Sequence, residues 1–217
     1  MRVPGRAFPL VIAAPSGTGK TSLAHALVER YEDVVFSISA TTRAPREYER
    51  PGVDYIFVDE ARFRSMAEAG ELAEWAEVHG RHYGTPRAGV AEALEQGRVV
   101  VLDIDVQGAR QVRGVFPDAV LVFILPPSAA ELARRLSHRG SEDDVERRRR
   151  LGNARAELQG ADEFDYVVVN DDFDTALGAL DAIVAAERHR ASRAEDLPGT
   201  LHGLDRELAG LMNERSN

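Results

Sequence analysis

Residues Ala14 to Thr21 read A-P-S-G-T-G-K-T and follow directly on the apolar run Leu10-Val11-Ile12-Ala13. A helix-compatible segment, Thr21 to Arg30, comes next. Strand, glycine-bearing loop and helix in that order are the context in which a P-loop pattern becomes a phosphate site. A helix start has unpaired N–H groups and the positive end of a dipole. Gly17 and Gly19 let the backbone curl so that those groups converge on an anion. Lys20 adds a full charge that can reach terminal phosphates, and the Thr21 hydroxyl can ligate Mg²⁺ beside waters and phosphates. The common pattern begins with glycine, whereas Ala14 stands here. Alanine lacks only the freedom of positive φ, so the loop survives if Ala14 occupies an ordinary backbone region. The alternative is a glycine-rich turn that happens to precede a lysine. It has to explain the coincidence of strand, loop, Lys-Thr and helix.

A chain of 217 residues is one domain, or one core with insertions, and can bury a sizeable core. Its net charge of −9 argues against broad nucleic-acid binding, so any anion has to be held by locally placed Arg and Lys. The absence of cysteine excludes disulfides, thiol nucleophiles and Cys-ligated zinc, and suits a cytoplasmic protein. No apolar run approaches the length of a membrane span, so no membrane partner is expected. Arg2 and Arg6 ahead of Phe8 to Ala14 imitate a signal peptide, but that run is short, contains Pro9 and continues into the loop. It reads as the first strand.

Beyond the loop, Val34 to Ile38 reads as a second strand. In Ser39 to Arg46 (S-A-T-T-R-A-P-R), Pro45 blocks helix, and Arg43 and Arg46 on an extended segment can converge on one anion. The bland alternative is a solvated loop. Tyr55 to Val58 is a short strand, and Asp59 caps a helix with Phe63, Met66 and Ala67 as its apolar face. Leu72 to Val78 alternates as a strand, with Leu72, Glu74, Ala76 and Val78 on one side and Ala73, Trp75 and Glu77 on the other. Glu74 then shares an apolar side, unless the faces are misassigned and it is a surface residue. His79 to Pro86 reads as a loop whose two His lack a third ligand for a metal. Ala88 to Gln96 is a helix closed by Gly97.

Val99 to Leu102 is a continuous apolar strand ending in Asp103, as in the Walker B element of P-loop proteins. Ligands gather at the carboxyl ends of strands in a parallel α/β sheet, so Asp103 is expected beside the P-loop; the alternative is an Asp that only caps a helix. Val120 to Leu125 is another buried strand, and Ser128 caps a helix from Ala129 to Leu136. The run Arg147 to Arg150 is either a solvated helix face or part of a mobile phosphoryl-transfer lid. Asp165 to Val169 is the last core strand, followed by a helix from Phe173 to about His189. Pro198-Gly199 marks a break before a final helix. Its stripe of Leu201, Leu204, Leu208 and Leu211 is expected to pack on the body or on a partner subunit, which would make a homo-oligomer.

Together these segments resemble the guanylate kinases. The motifs that carry the likeness are A-P-S-G-T-G-K-T, S-A-T-T-R-A-P-R, G-V-D-Y, E-W-A-E-V-H-G, Y-G-T-P, D-I-D-V-Q-G, R-G-S-E and V-V-V-N-D-D, in family order from about Phe8 to about Arg190. The resemblance implies an α/β fold: a P-loop NTPase core with a parallel β-sheet flanked by helices, an inserted mixed α+β GMP-binding region and a helical lid. The core would be residues 1–36, 99–131 and 157–190, the insert 37–98, the lid 132–156, and 191–217 a C-terminal helical extension.

It implies transfer of a phosphoryl group from ATP to GMP or dGMP with Mg²⁺. Ala14, Pro15, Ser16, Gly17, Thr18, Gly19, Lys20 and Thr21 would hold ATP, with Asn170 near the adenine. Arg43, Arg46, Tyr55 and Tyr83 would hold the GMP phosphate. Ser39, Glu74, Thr85 and Asp105 would read the guanine, and Asp103 would lie near the acceptor phosphate and the metal. Arg139 and Arg150 would come from the lid and act in catalysis with Lys20, Arg43, Arg46 and Asp103. Departures are Ala14 and Ser141, the latter where the family often has Thr. The alternatives are a non-catalytic guanylate-kinase-like binding module, or a same-fold kinase acting on a phosphorylated sugar. The first has no need of Lys20, Thr21, the loop arginines and Asp103. The second has no need of Ser39, Glu74 and Asp105.

Overall fold

Every residue of the first strand is buried, as expected of a strand covered on both faces. The structure is a computed structural model and describes residues 5–78, 80–137 and 144–214. In chain order the elements are β1 (Pro9–Ala13), α1 (Lys20–Glu29), β2 (Val34–Phe36), β3 (Ala40–Thr41), β4 (Ile56–Phe57), α2 (Glu60–Glu68), β5 (Leu72–Val78), β6 (Arg81–Pro86), α3 (Arg87–Glu95), β7 (Val99–Asp103), α4 (Val106–Val115), β8 (Val120–Leu125), α5 (Ala129–Ser137), α6 (Asp144–Leu158), β9 (Tyr166–Val169), α7 (Phe173–Arg188) and α8 (Leu197–Glu214).

Five strands in the order β2-β7-β1-β8-β9, all parallel neighbours, form the central sheet. Alternate residues feed two cores. Leu10, Ile12, Val99, Val101, Val122 and Ile124 face α1 and α7, where Leu23, Leu27, Leu180 and Val184 pack. Val11, Val100, Leu102 and Leu121 face α3 and α4, where Val90, Ala93, Ala109 and Val112 pack. The result is a three-layer α/β/α core. A second, mixed sheet, β4-β3-β6-β5, is built within residues 40–86.

Several local expectations change on tertiary contact. The segment read as a loop through Pro86 contains β6, which pairs antiparallel with β5 from Val78↔Arg81 to Leu72↔Pro86. Gly80 has φ 71°, the left-handed conformation a tight connection needs. Pro198-Gly199 does not precede the last helix but lies in its first turn, where the missing proline N–H is one the helix leaves unpaired anyway. Asp196, with φ 46°, accepts from the Gly199 N–H at 3.1 Å and so starts that helix.

The approach to α8 is tied down. Glu187, at the end of α7, accepts from the Tyr166 hydroxyl at 2.6 Å and from Arg193 Nε at 3.1 Å. The Arg193 guanidinium also lies 4.4 Å over the Phe8 ring and donates to the Asp118 carbonyl at 2.7 Å. A buried charge survives folding only when so paired. The leucine stripe itself does not pack on the body: Leu201, Leu204, Leu208 and Leu211 are 42–59% exposed.

Candidate active site

The P-loop leaves the C-terminal end of β1, and Asp103 ends the neighbouring β7, at the point where the sheet order reverses direction. That is where open α/β sheets bind ligands. Gly17 and Gly19 have φ 88° and 87°, and Gly19 is the residue from which α1 starts. A side chain at Gly19 would meet Asn170 Nδ2 at 2.7 Å, so glycine is required there on two grounds. Among the described residues Asp196 is the only non-glycine with positive φ, so Ala14 sits in an ordinary region, 6% exposed. Ala14→Gly is therefore expected to lower stability by about 0.4–1 kcal/mol through unfolded-chain entropy while leaving KM for ATP unchanged. Thermal melts and a steady-state ATP titration check both halves.

Lys20 Nζ donates to the Ile104 carbonyl at 2.6 Å and pairs with Asp103 Oδ1 at 2.6 Å. The other carboxylate oxygen of Asp103 accepts from the Thr21 hydroxyl at 2.7 Å. Asp103 thus joins the cation and the hydroxyl of the loop. It caps no helix; Asp105 does so, accepting from the Gly108 N–H of α4 at 2.7 Å.

Two cavities meet at these residues. One, of about 290 Å³, is lined by the loop from Ala14 to Ser22 with Asp103, Asp105 and Glu157. The other, of about 260 Å³, is lined by Ser39, Tyr55, Glu74, Ala76, Val78 and Tyr83 with Ile104. Lys20, Asp103 and Asp105 line both. A more apolar groove of about 340 Å³, bordered by Phe63, Trp75 and His82, lies on the other face of β5 and shares no residue with them.

Glu74 faces the second cavity because β5 carries a bulge. The pairing register shifts between Leu72 and Glu74. One extra residue flips the alternation, so Leu72 falls on the α2 side with Phe63 and Met66, opposite Glu74. The alternation expected from sequence, with Leu72 on the side of Glu74, is corrected by that bulge. Glu74 is 6% exposed and accepts from the Thr85 hydroxyl at 2.6 Å. Burial pushes its carboxyl above the usual carboxylate range; the Thr85 hydrogen bond opposes this and the neighbouring Asp105 charge adds to it.

A carboxyl whose pKa is raised on folding contributes stability that is present below its unfolded pKa and lost as pH rises through the folded one. Glu74→Gln is accordingly expected to melt higher than the wild-type chain near about pH 7, with the gap closing towards about pH 4. A melting series across that range decides it; equal melting temperatures throughout would remove the buried-charge cost.

Arg43 lies at the same mouth but its guanidinium is engaged. It donates to both oxygens of Glu49 at 2.8 and 2.9 Å and sits 5.3 Å from the Tyr55 ring centre. The fork beside Glu49 holds Arg43 well above the usual guanidinium range and depresses the Glu49 carboxyl. Arg46 reaches the Tyr48 hydroxyl at 3.0 Å, and its backbone N–H donates to Glu49. Glu49 thus gathers the two arginine positions around one carboxylate. Tyr55 and Tyr83 stand edge to face with ring centres 6.3 Å apart.

Asn170, expected near the adenine, is buried against the loop, and its Nδ2 donates to the Thr18 carbonyl at 2.6 Å. That bond ties the last core strand to the loop. From α6, Arg150 reaches Ser16 Oγ at 3.4 Å and the Leu136 carbonyl at 3.4 Å. Arg139 and Ser141 lie outside the described residues.

Three site residues escaped the sequence reading. Glu49 sat in a segment read only as a turn. Arg135 on α5 reaches the Asn170 carbonyl at 3.4 Å and the Thr18 carbonyl at 3.5 Å. Glu157 on α6 lines the loop cavity, and burial raises its pKa against the pull of Lys20. No local pattern marks any of them, since each is one charge among many on a polar stretch.

A guanylate kinase family model matches residues 6–187. The chain is 55% identical over 191 residues to a guanylate kinase of Anaeromyxobacter dehalogenans, covering 87% of this chain and 84% of that one. It is 52% identical over 187 residues to a guanylate kinase of Myxococcus xanthus, covering 86% and 90%. The crystal structure of guanylate kinase from Anaplasma phagocytophilum superposes with a TM-score of 0.73 at 33% identity, over 92% of this chain and 95% of that one.

Proposed function

The chain belongs to the guanylate kinase family, and we propose from this that it catalyses reversible, Mg²⁺-dependent transfer of the ATP γ-phosphoryl group to GMP or dGMP, yielding ADP and GDP. The observation that carries the reading is the pair of cavities joined at Lys20, Asp103 and Asp105. One is lined by a phosphate-binding loop, the other by a buried carboxylate and two tyrosines. Two nucleotides entering from opposite sides meet phosphate to phosphate at Lys20.

The acceptor is already an ionised phosphate oxygen, so the reaction needs no strong general base. Its barrier falls by alignment and by neutralising charge. The N–H groups of the loop cradle the ATP phosphates. Lys20 supplies a positive charge between donor and acceptor. Arg43 and Arg46 hold the GMP phosphate, with Glu49 orienting the Arg43 fork before the substrate arrives. Arg150 comes from the lid onto the ATP side.

Guanine presents N1–H and N2–H₂ side by side, and Glu74 accepts both. Adenine offers an unprotonated N1 that a carboxylate repels, so one residue selects for and against. Thr85 holds Glu74 in place, while Ser39 and Asp105 complete the reading of the base. The donor set suits Mg²⁺: the Thr21 hydroxyl and an Asp103 oxygen are hard ligands 2.7 Å apart. Among the described residues no group of three His, Asp or Glu could hold a metal alone. Thr21 and Asp103 would hold the ion together with phosphates and waters. An ion held by these residues would neutralise negative charge on the transferring phosphates.

Closure of the insert, residues 37–98, and of the lid, residues 132–156, excludes water and so suppresses ATP hydrolysis. No described helix is long and apolar enough to cross a membrane. The test is a steady-state acceptor profile with Mg-ATP, comparing GMP, dGMP, AMP and ribose phosphates. GMP and dGMP are expected to stand well above the others. Equal use of all purines, or no ADP release on adding GMP, overturns the reading.

A further inference from the structure

The strand that carries Glu74 is an edge strand, last in the order β4-β3-β6-β5. Among the described residues its outer row of N–H and C=O groups has no strand to pair with. At Trp75, the residue after Glu74, both groups are nevertheless taken. The Trp75 N–H donates to Gln111 Oε1 at 3.1 Å, and Gln111 Nε2 donates to the Trp75 carbonyl at 3.2 Å. The Gln111 carboxamide therefore does what the peptide group of another strand would do.

Gln111 belongs to α4, whose Ala109 and Val112 are buried against the central sheet. The same helix begins at Asp105, whose carboxylate caps it. Between them lies Gly108, where a Cβ would come within 3.0 Å of Glu74 Oε2. One rigid helix thus touches the strand at three levels. It presents Asp105 to the acceptor cavity, leaves room at Gly108 for the second oxygen of Glu74, and clamps the next peptide through Gln111. The relation between the base-reading strand and the phosphate-holding core is set along this seam.

We propose that Gln111 is a positioning residue for acceptor selectivity: by pinning the Trp75 peptide it keeps Glu74 in register with Asp105, so that both Glu74 oxygens meet the guanine edge. The inference rests on the function proposed above and goes beyond it in naming a residue that never touches the nucleotide. A simple brace would weaken the whole fold and both substrates alike. A positioning role moves the GMP side alone.

The experiment compares wild type, Gln111→Ala and Gln111→Leu; the leucine keeps bulk without hydrogen bonds. In both variants kcat/KM for GMP is expected to fall about three- to tenfold, the scale of one or two lost hydrogen bonds, mainly through KM. KM for ATP stays unchanged. The preference for GMP over IMP shrinks, because IMP lacks the 2-amino group from which the second Glu74 oxygen accepts a hydrogen bond. Trp75 is the only tryptophan in the chain. Its fluorescence during a GMP titration without ATP reads binding independently of turnover, and the GMP dissociation constant is expected to rise by the same factor. An unchanged GMP-to-IMP ratio, or a parallel rise in KM for ATP and fall in melting temperature, overturns the proposal. A wild-type protein that neither binds nor phosphorylates GMP is a different failure, and removes the proposed function together with this inference.

Discussion

Lys20→Ala is expected to reduce kcat at least about 10²–10³-fold, equivalent to about 3–4 kcal/mol of lost charge stabilisation in the transition state. The reason lies in where the ammonium stands. Lys20 lines both cavities and is partly buried beside Asp103. An electrostatic contact in such a place gains from the lowered dielectric and needs no rearrangement as charge develops. The fold should survive, because the Asp103 carboxylate left behind keeps the Thr21 hydroxyl and some solvent. Single-turnover kinetics alongside circular dichroism and a thermal melt check this. Near-normal kcat in a folded variant would remove Lys20 from the chemistry.

Glu74→Gln is the second large effect. The side chain keeps its shape and its acceptor towards Thr85 but offers an NH₂ where guanine also presents a donor. Loss of a charged, buried hydrogen bond is expected to cost about 1.5–3 kcal/mol in kcat/KM for GMP, roughly one to two orders of magnitude. AMP should gain relative to GMP, because the repulsion between a carboxylate and the adenine N1 lone pair is gone. The same substitution is expected to stabilise the unliganded protein at neutral pH, so the burial that weakens the fold is the burial that reads the base. A variant with unaltered GMP and AMP efficiencies would show that Glu74 does not face the base at all.

The strand, loop and helix around Lys20 were legible in sequence because they are local. The strand from Pro9, the positive-φ glycines, the lysine and the helix follow one another within a short stretch. Asp59 and Ser128 as helix caps could likewise be read from neighbours a few residues away, and both accept the expected N–H. The acceptor side was less legible. Its residue types could be listed, but the face of Glu74 depends on a bulge in the β5–β6 pairing, and pairing partners are not written in the strand itself. Asn170 is a further case: the contact of its amide with the Thr18 carbonyl joins positions far apart in the chain and is written in neither stretch.

By itself the sequence determined what short-range chemistry governs: a glycine-bearing loop opening a helix, apolar strands for a parallel sheet, and local caps. Tertiary structure alone decided how Arg43 is occupied by Glu49, how Glu157 comes to the loop, and how α4 grips β5. The reason is physical. Periodicity and turn preferences act over a few bonds, whereas these contacts exist only after distant segments have buried their apolar faces and brought their polar groups within hydrogen-bond reach.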